Sequence, residues 1–235
     1  FVLVWFLWKE IFRQSGTALV GGREFQATVV YYLAAILSGI LVRGREFGSS
    51  VATEIYEGGL TRYLVFPVPY LPVKYAQHLG TMVPPLLQFV FFGGVMVWLL
   101  DIPEAMRPDL TRALGAAVAI VLANFLHFVI TFPIELVAFW ADNVWSLNVA
   151  KRLIVNLAGG LMLPLSVFPA GVRGVLEHLP FRYFFDFPAR ILIGEIPPDR
   201  WVRGYVTTLA YSALFLAVSW WVWQRGRRQY TGVGI

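Results

Sequence analysis

Residues 43–74 read RGREFGSSVATEIYEGGLTRYLVFPVPYLPVK, a charged, glycine-bearing stretch set between two long apolar runs, 25–42 and 75–100. A helix needs about 20 apolar residues to cross a bilayer, so the stretch between two such runs emerges into water. It is not a plain linker. Phe47, Val51 and Ile55 recur at every fourth position, which sets them on one face of a helix, with Glu46, Glu54 and Glu57 around the remainder. Ser49 or Ser50 can cap its start, and Gly58 with Gly59 can end it. Two turns of helix are not stable alone in water, so the segment needs a surface: lipid headgroups, or a groove on a soluble partner.

Outward from this stretch the chain is membrane-like. It is 58% hydrophobic and 14% charged, where soluble domains carry about a quarter charged residues. There is no cysteine, hence no disulfide or thiolate metal site, and His78, His127 and His178 are too scattered for a zinc motif. The net charge of +5 is dispersed, without the clustered basic and aromatic residues of a nucleic-acid surface. A P-loop ends in Gly-Lys-Ser/Thr, and Lys9, Lys74 and Lys151 follow Trp8, Val73 and Ala150, so nucleotide hydrolysis does not belong to this chain. His178 beside Glu177 and Asp186 lacks an activated nucleophile, so no catalytic residues are assigned.

The expected architecture is an all-α membrane protein forming one transmembrane domain over 1–235, with six spans. They lie at 1–8, the tail of a span whose beginning precedes this sequence, then at 25–42, 75–100, 110–140, 151–168 and 201–223. Ala35 and Gly39 offer a small-residue packing face. Pro84-Pro85 predict a kink in the third span, Pro133 a bend in the fourth, and Gly159-Gly160 with Pro164 an interruption in the fifth. In the fourth span Asn124, His127, Thr131 and Glu135 fall at i, i+3, i+7 and i+11 on one face. Ionisable groups at such depth are costly and face the bundle interior, either as structural hydrogen bonds or as a substrate or proton pathway. Residues 169–200 are too charged to cross lipid and too aromatic to sit free in water. They read as an interfacial aromatic belt or as short re-entrant helices.

The run IYEGGLTRYLVFPVPY (55–70) resembles the cytoplasmic loop of type-2 ATP-binding-cassette (ABC) permeases, with Gly58, Leu60, Leu64 and Pro67 in the places of the motif. Phe66 stands where that family often has a basic residue. LPLSVFPAG (163–171), LPFRYFFDFPARILIG (179–194) and the tail RRQYTGVGI resemble the same group. The resemblance implies a cytoplasmic coupling helix in which Phe47, Val51, Glu54, Ile55, Glu57 and Gly58 meet the ATPase. It also implies an extracellular re-entrant hairpin carrying Pro169, Leu176, Pro180, Phe184 and Pro188. The implied partners are an ATP-binding cassette subunit holding ATP and Mg, a second permease subunit, identical or paralogous, and membrane lipid. This chain would hold no cofactor or metal and bind no nucleic acid. It would be a multi-pass protein of the plasma (bacterial inner) membrane, with its C-terminus cytoplasmic, as the Arg225, Arg227 and Arg228 cluster also suggests. The implied activity is ATP-driven export of an amphiphilic, lipid-like or drug-like substrate. The alternative is a self-sufficient proton-coupled carrier using Glu135 and His127.

Overall fold

The computed structural model describes residues 2–44, 50–65, 68–99 and 102–230. Of the residues singled out above, Glu46, Phe47, Ser49, Phe66 and Pro67 lie outside the described residues. Every regular element among the described residues is helical. In chain order these are α1 (Val2–Ser15), α2 (Phe25–Arg43), α3 (Ser50–Tyr56), α4 (Thr61–Val65), α5 (Tyr70–Gly80), α6 (Val83–Leu99), α7 (Leu110–Glu135), α8 (Trp145–Ala158), α9 (Ala170–Glu177), α10 (Asp186–Leu192) and α11 (Trp201–Gly226), with short 3-10 turns between some of them.

Among the described residues, four segments are long and apolar enough to cross a membrane: Phe25–Arg43, Tyr70–Leu99, Leu110–Phe139 and Pro198–Gly226. They match four of the six expected spans. The other two differ from expectation. α1 runs on to Ser15, because Glu10 and Arg13 pair along the helix at 2.7 Å and keep the polar stretch helical. α8 begins at Trp145, whose N–H is capped by the Asn143 side chain at 2.7 Å, and stops at Ala158. Its 14 residues rise about 21 Å against a ~30 Å hydrocarbon core. The helix stops where Gly160 takes a left-handed φ of +84°, just after Gly159, which lies too close to the Val155 and Phe181 carbonyls for any side chain.

The two prolines that predicted distortion act by different routes. Pro84 and Pro85 have no N–H to give Gly80 and Thr81, so the third span breaks into α5 and α6 at that point. Pro133 stays inside α7. The Val129 carbonyl it leaves without a helical donor lies 3.1 Å from the Ser219 hydroxyl of α11. That hydroxyl shares its one hydrogen with the Phe215 carbonyl at 2.7 Å.

α7 and α11 run side by side in the same direction. The Tyr205 hydroxyl donates to the Gly115 carbonyl at 2.8 Å near their starts, and Ser219 meets Val129 near their ends. After Trp201, the buried face of α11 is made of small residues, Gly204, Thr208, Ser212 and Ser219, while Val202, Leu209, Leu214, Trp220 and Trp221 point outward. Small and polar inside with large and apolar outside is the pattern of helices packed in lipid. α10 is wedged between α2 and α7, where Phe184, Phe185, Ala189 and Ile191 are fully buried. The small face at Ala35 and Gly39 receives the Phe185 ring, which a Cβ on Gly39 would approach to 3.1 Å.

A Cβ on Gly115 would come within 2.3 Å of the Trp201 ring, whereas one on Gly80 would meet nothing within 4 Å. Gly115→Leu is therefore expected to destabilise the bundle by about 1–3 kcal/mol through overpacking. Gly80→Ala is expected to be neutral or slightly stabilising. Melting of the purified protein in detergent checks both.

Candidate functional site

α3 is a short helix held at both ends. Its start is defined by the buried carboxylate of Glu135, at the end of α7, which accepts from the Ala52 N–H at 3.4 Å and from the Asn148 amide of α8 at 2.7 Å. The Ala52 N–H is one of the first-turn donors that has no acceptor within its own helix. Its end is defined by Gly58, whose φ of +76° turns the chain so that the Leu60 N–H returns to the Glu54 carbonyl at 3.0 Å.

Glu54 is the centre of a second cluster. It accepts from the Tyr70 hydroxyl at 2.7 Å, from Arg62 at 3.2 Å and from Tyr63 at 3.4 Å, and it is ion-paired with Lys74. Lys74 is 1% exposed, a position a lysine holds only with its charge paired. Tyr70 also stacks on Trp223 of α11, with ring centroids 4.7 Å apart. α3 is thus tied through Glu54 to α5 and through Glu135 to α7 and α8.

The apolar side of α3 faces the chain itself. Val51, Ala52 and Ile55 are buried, and α3 packs on the 3-10 extension Leu136–Phe139 of α7. In this conformation Val51 and Ile55 are not available to a groove on another subunit. The outward side chains are Tyr56, whose hydroxyl donates to the Ala141 carbonyl at 2.9 Å, and Glu57, with Gly58 partly exposed between them and the turn.

The polar line on α7 is wholly interior, and most of it joins helices. Asn124 directs its amide at the Leu41 and Val42 carbonyls at 3.1 and 3.2 Å, where α2 ends, and lies 3.1 Å from the ring of His78. Thr131 accepts from Lys151 at 3.2 Å. His127 meets the edge of the Phe184 ring, with centroids 5.4 Å apart. The structure therefore brings Asn124, Thr131 and Glu135 into contact with α2, α8 and α3. His78, Asn148 and Lys151, which answer them, carry no signal in the sequence beyond being polar in apolar surroundings.

At the opposite end of the bundle, the loop after α8 divides in two. Pro180, Phe184 and Pro188 are buried. Pro169 and Leu176 belong to the α9 part, where no residue is fully buried and Val172 and Val175 are exposed. The buried part is anchored by charge. Arg23 and Glu195, far apart in sequence, form a two-pronged pair with both contacts at 2.7 Å, and Arg190 adds a third at 3.0 Å. The Tyr31 hydroxyl lies within reach of Asp186 at 3.1 Å. Burial alone would raise the Glu195 pKa, but hydrogen bonding and charge from Arg23, with Arg190, hold it below its ordinary value of 4.5.

Long apolar helices that pack through small residues and answer their own buried polar groups define an integral membrane protein. Within that class the chain belongs to the ABC-2 family transporter proteins, whose family model matches residues 1–234. No curated protein and no solved structure matches it.

Glu135→Leu removes the acceptor for two buried donors, each costing roughly 1–3 kcal/mol when left unanswered. Glu135→Gln keeps one acceptor oxygen and turns an NH2 toward the other donor. The expected order of damage is Leu, then Gln, then wild type, read as tryptic cleavage at Arg62 when α3 loosens. Because the folded-state pKa of Glu195 is lowered, its stabilisation is complete above about 4.5 and is lost as pH falls through the lower folded value. Melting temperature followed from pH 7 to pH 3 should fall less steeply in Glu195→Gln than in wild type.

Proposed function

We propose that this membrane transporter chain is the permease subunit of an ATP-driven exporter, with α3 as its coupling helix. ATP and Mg would sit on a separate cassette subunit, which meets α3 on the face bearing Tyr56, Glu57 and Gly58. The observation that carries this reading is the double anchorage of α3: a push on the helix reaches α5 through Glu54 and α7 through Glu135. The lack of a P-loop among the three lysines agrees with an energy source outside the chain.

Six crossings are part of the proposal. Their support is the parallel course of α7 and α11, which obliges the chain between them to return across the bundle. α8 with residues 159–168 would make that return. Residues 180–192, buried between α2 and α7, would form the inner limb of a re-entrant segment on the extracellular side, with α9 lying at the interface. The buried polar line would position helices more than it lines a pathway. The apolar outer surfaces of α6 and α11 would face lipid or a second permease, identical or paralogous. The reading places the chain in the plasma membrane with a cytoplasmic C-terminus and favours an amphiphilic substrate, in keeping with a chain rich in aromatic residues and poor in charge.

The test uses the chain with its native ATPase, reconstituted in vesicles. Glu57→Lys, at an exposed site, should weaken subunit association about tenfold. Glu54→Gln should leave association intact and lower transport per ATP hydrolysed. Ile55→Asp reports on packing and not docking, because Ile55 is buried. Transport by the lone chain in a pH gradient without ATP would overturn the proposal in favour of a proton-coupled carrier.

A further inference from the structure

At the end of the bundle opposite α3, a cleft of about 530 Å³ opens between the turn at 177–183, α10 and the first turns of α11. Arg182, Arg190, Arg200 and Arg203 line it, against the carboxylates of Glu177 and Glu195. Glu195 is already engaged, since both its oxygens are held by Arg23 and one by Arg190 as well. Arg200 and Arg203 stand one turn apart and exposed, with no hydrogen-bond or ion-pair acceptor for their guanidinium groups among the described residues. Arg182 reaches the Glu177 carbonyl at 3.4 Å and Asp186 at 3.9 Å through its terminal nitrogens, while its Nε is buried without any acceptor. Three hydroxyl side chains, Tyr183, Thr207 and Tyr211, also line the cleft. Thr207 donates to the Arg203 carbonyl, and Tyr211 donates to the His178 carbonyl.

We propose that this cleft is a binding site for a phosphate group, carried by the headgroup of a membrane amphiphile. The guanidinium fork matches phosphate oxygens in pairs, and three such groups with open donors converge on one concavity. The cleft lies at the first turns of α11, where a segment long and apolar enough to cross a membrane begins and lipid headgroups would lie. The inference stands apart from the proposed coupling role of α3, because it rests on residues at the other end of the molecule.

The experiment measures calorimetric binding to the full chain, purified in detergent with any subunit that accompanies it. The probes are dihexanoyl phosphatidylglycerol, dihexanoylglycerol and inorganic phosphate. Wild type should bind the phospholipid, with affinity falling as salt rises, and should bind dihexanoylglycerol at least tenfold more weakly. Arg200→Gln with Arg203→Gln should weaken phospholipid binding at least tenfold with melting unchanged, both side chains being exposed. Lysines at the same two positions keep charge but lose the fork, and should give an intermediate affinity. Displacement of the lipid by millimolar inorganic phosphate would identify free phosphate as a sufficient ligand, and its absence would make the attached chain part of recognition. Either result supports a phosphate site. Equal binding of phospholipid by wild type and the double Gln variant, equal binding of dihexanoylglycerol, or no dependence on salt overturns it.

Discussion

A chain that enters a bilayer must answer its polar groups from within itself, and this bundle is organised by that requirement. Lipid tails offer no hydrogen bonds, so each carbonyl or carboxylate drawn inside fixes the position of whatever answers it. Pro133 leaves the Val129 carbonyl without its helical donor, and the Ser219 hydroxyl lies within reach of it from α11. The end of α2 leaves the Leu41 and Val42 carbonyls open, and Asn124 meets both from α7. Each of these contacts joins two helices that apolar packing alone would leave free to slide.

The same requirement explains the position of α3. A two-turn helix has little stability of its own, so α3 takes it from Glu135 at its first turn, from the Glu54 cluster on its side, and from a buried apolar face. These contacts fasten α3 to α5 through Glu54 and to α7 through Glu135. At the far end, charge adds to apolar burial. The Arg23–Glu195–Arg190 group holds residues 180–196 against the bundle, so that short, irregular segments can stay in a fixed position.

The parts that were legible in the sequence were those with a local cause. Two turns of helix were expected from Val51 and Ile55 with Gly58 behind them, and α3 ends where Gly58 takes a positive φ. The break before α6 follows from Pro84 and Pro85 lacking N–H groups, and the stop of α8 from Gly159 and Gly160. The extension of α1 to Ser15 was not legible as helix, because Glu10, Arg13 and Gln14 look like loop until their mutual bonds are seen. Nor did periodicity reveal which side of α3 is used: a four-residue repeat marks a buried face, and it is silent on whether the same chain or another covers it.

By itself the sequence determined that this is a helical membrane protein, where its principal spans lie, and where prolines and glycines interrupt them. Those properties depend on hydrophobic length and on backbone chemistry at single residues. Only the tertiary structure decided that Val51 and Ile55 turn inward, that Glu135 anchors α3, that Arg23 meets Glu195, and that four arginines share one cleft. Each is a meeting of residues distant along the chain, and the partner of a buried polar group is set by which helices become neighbours, which no local pattern encodes.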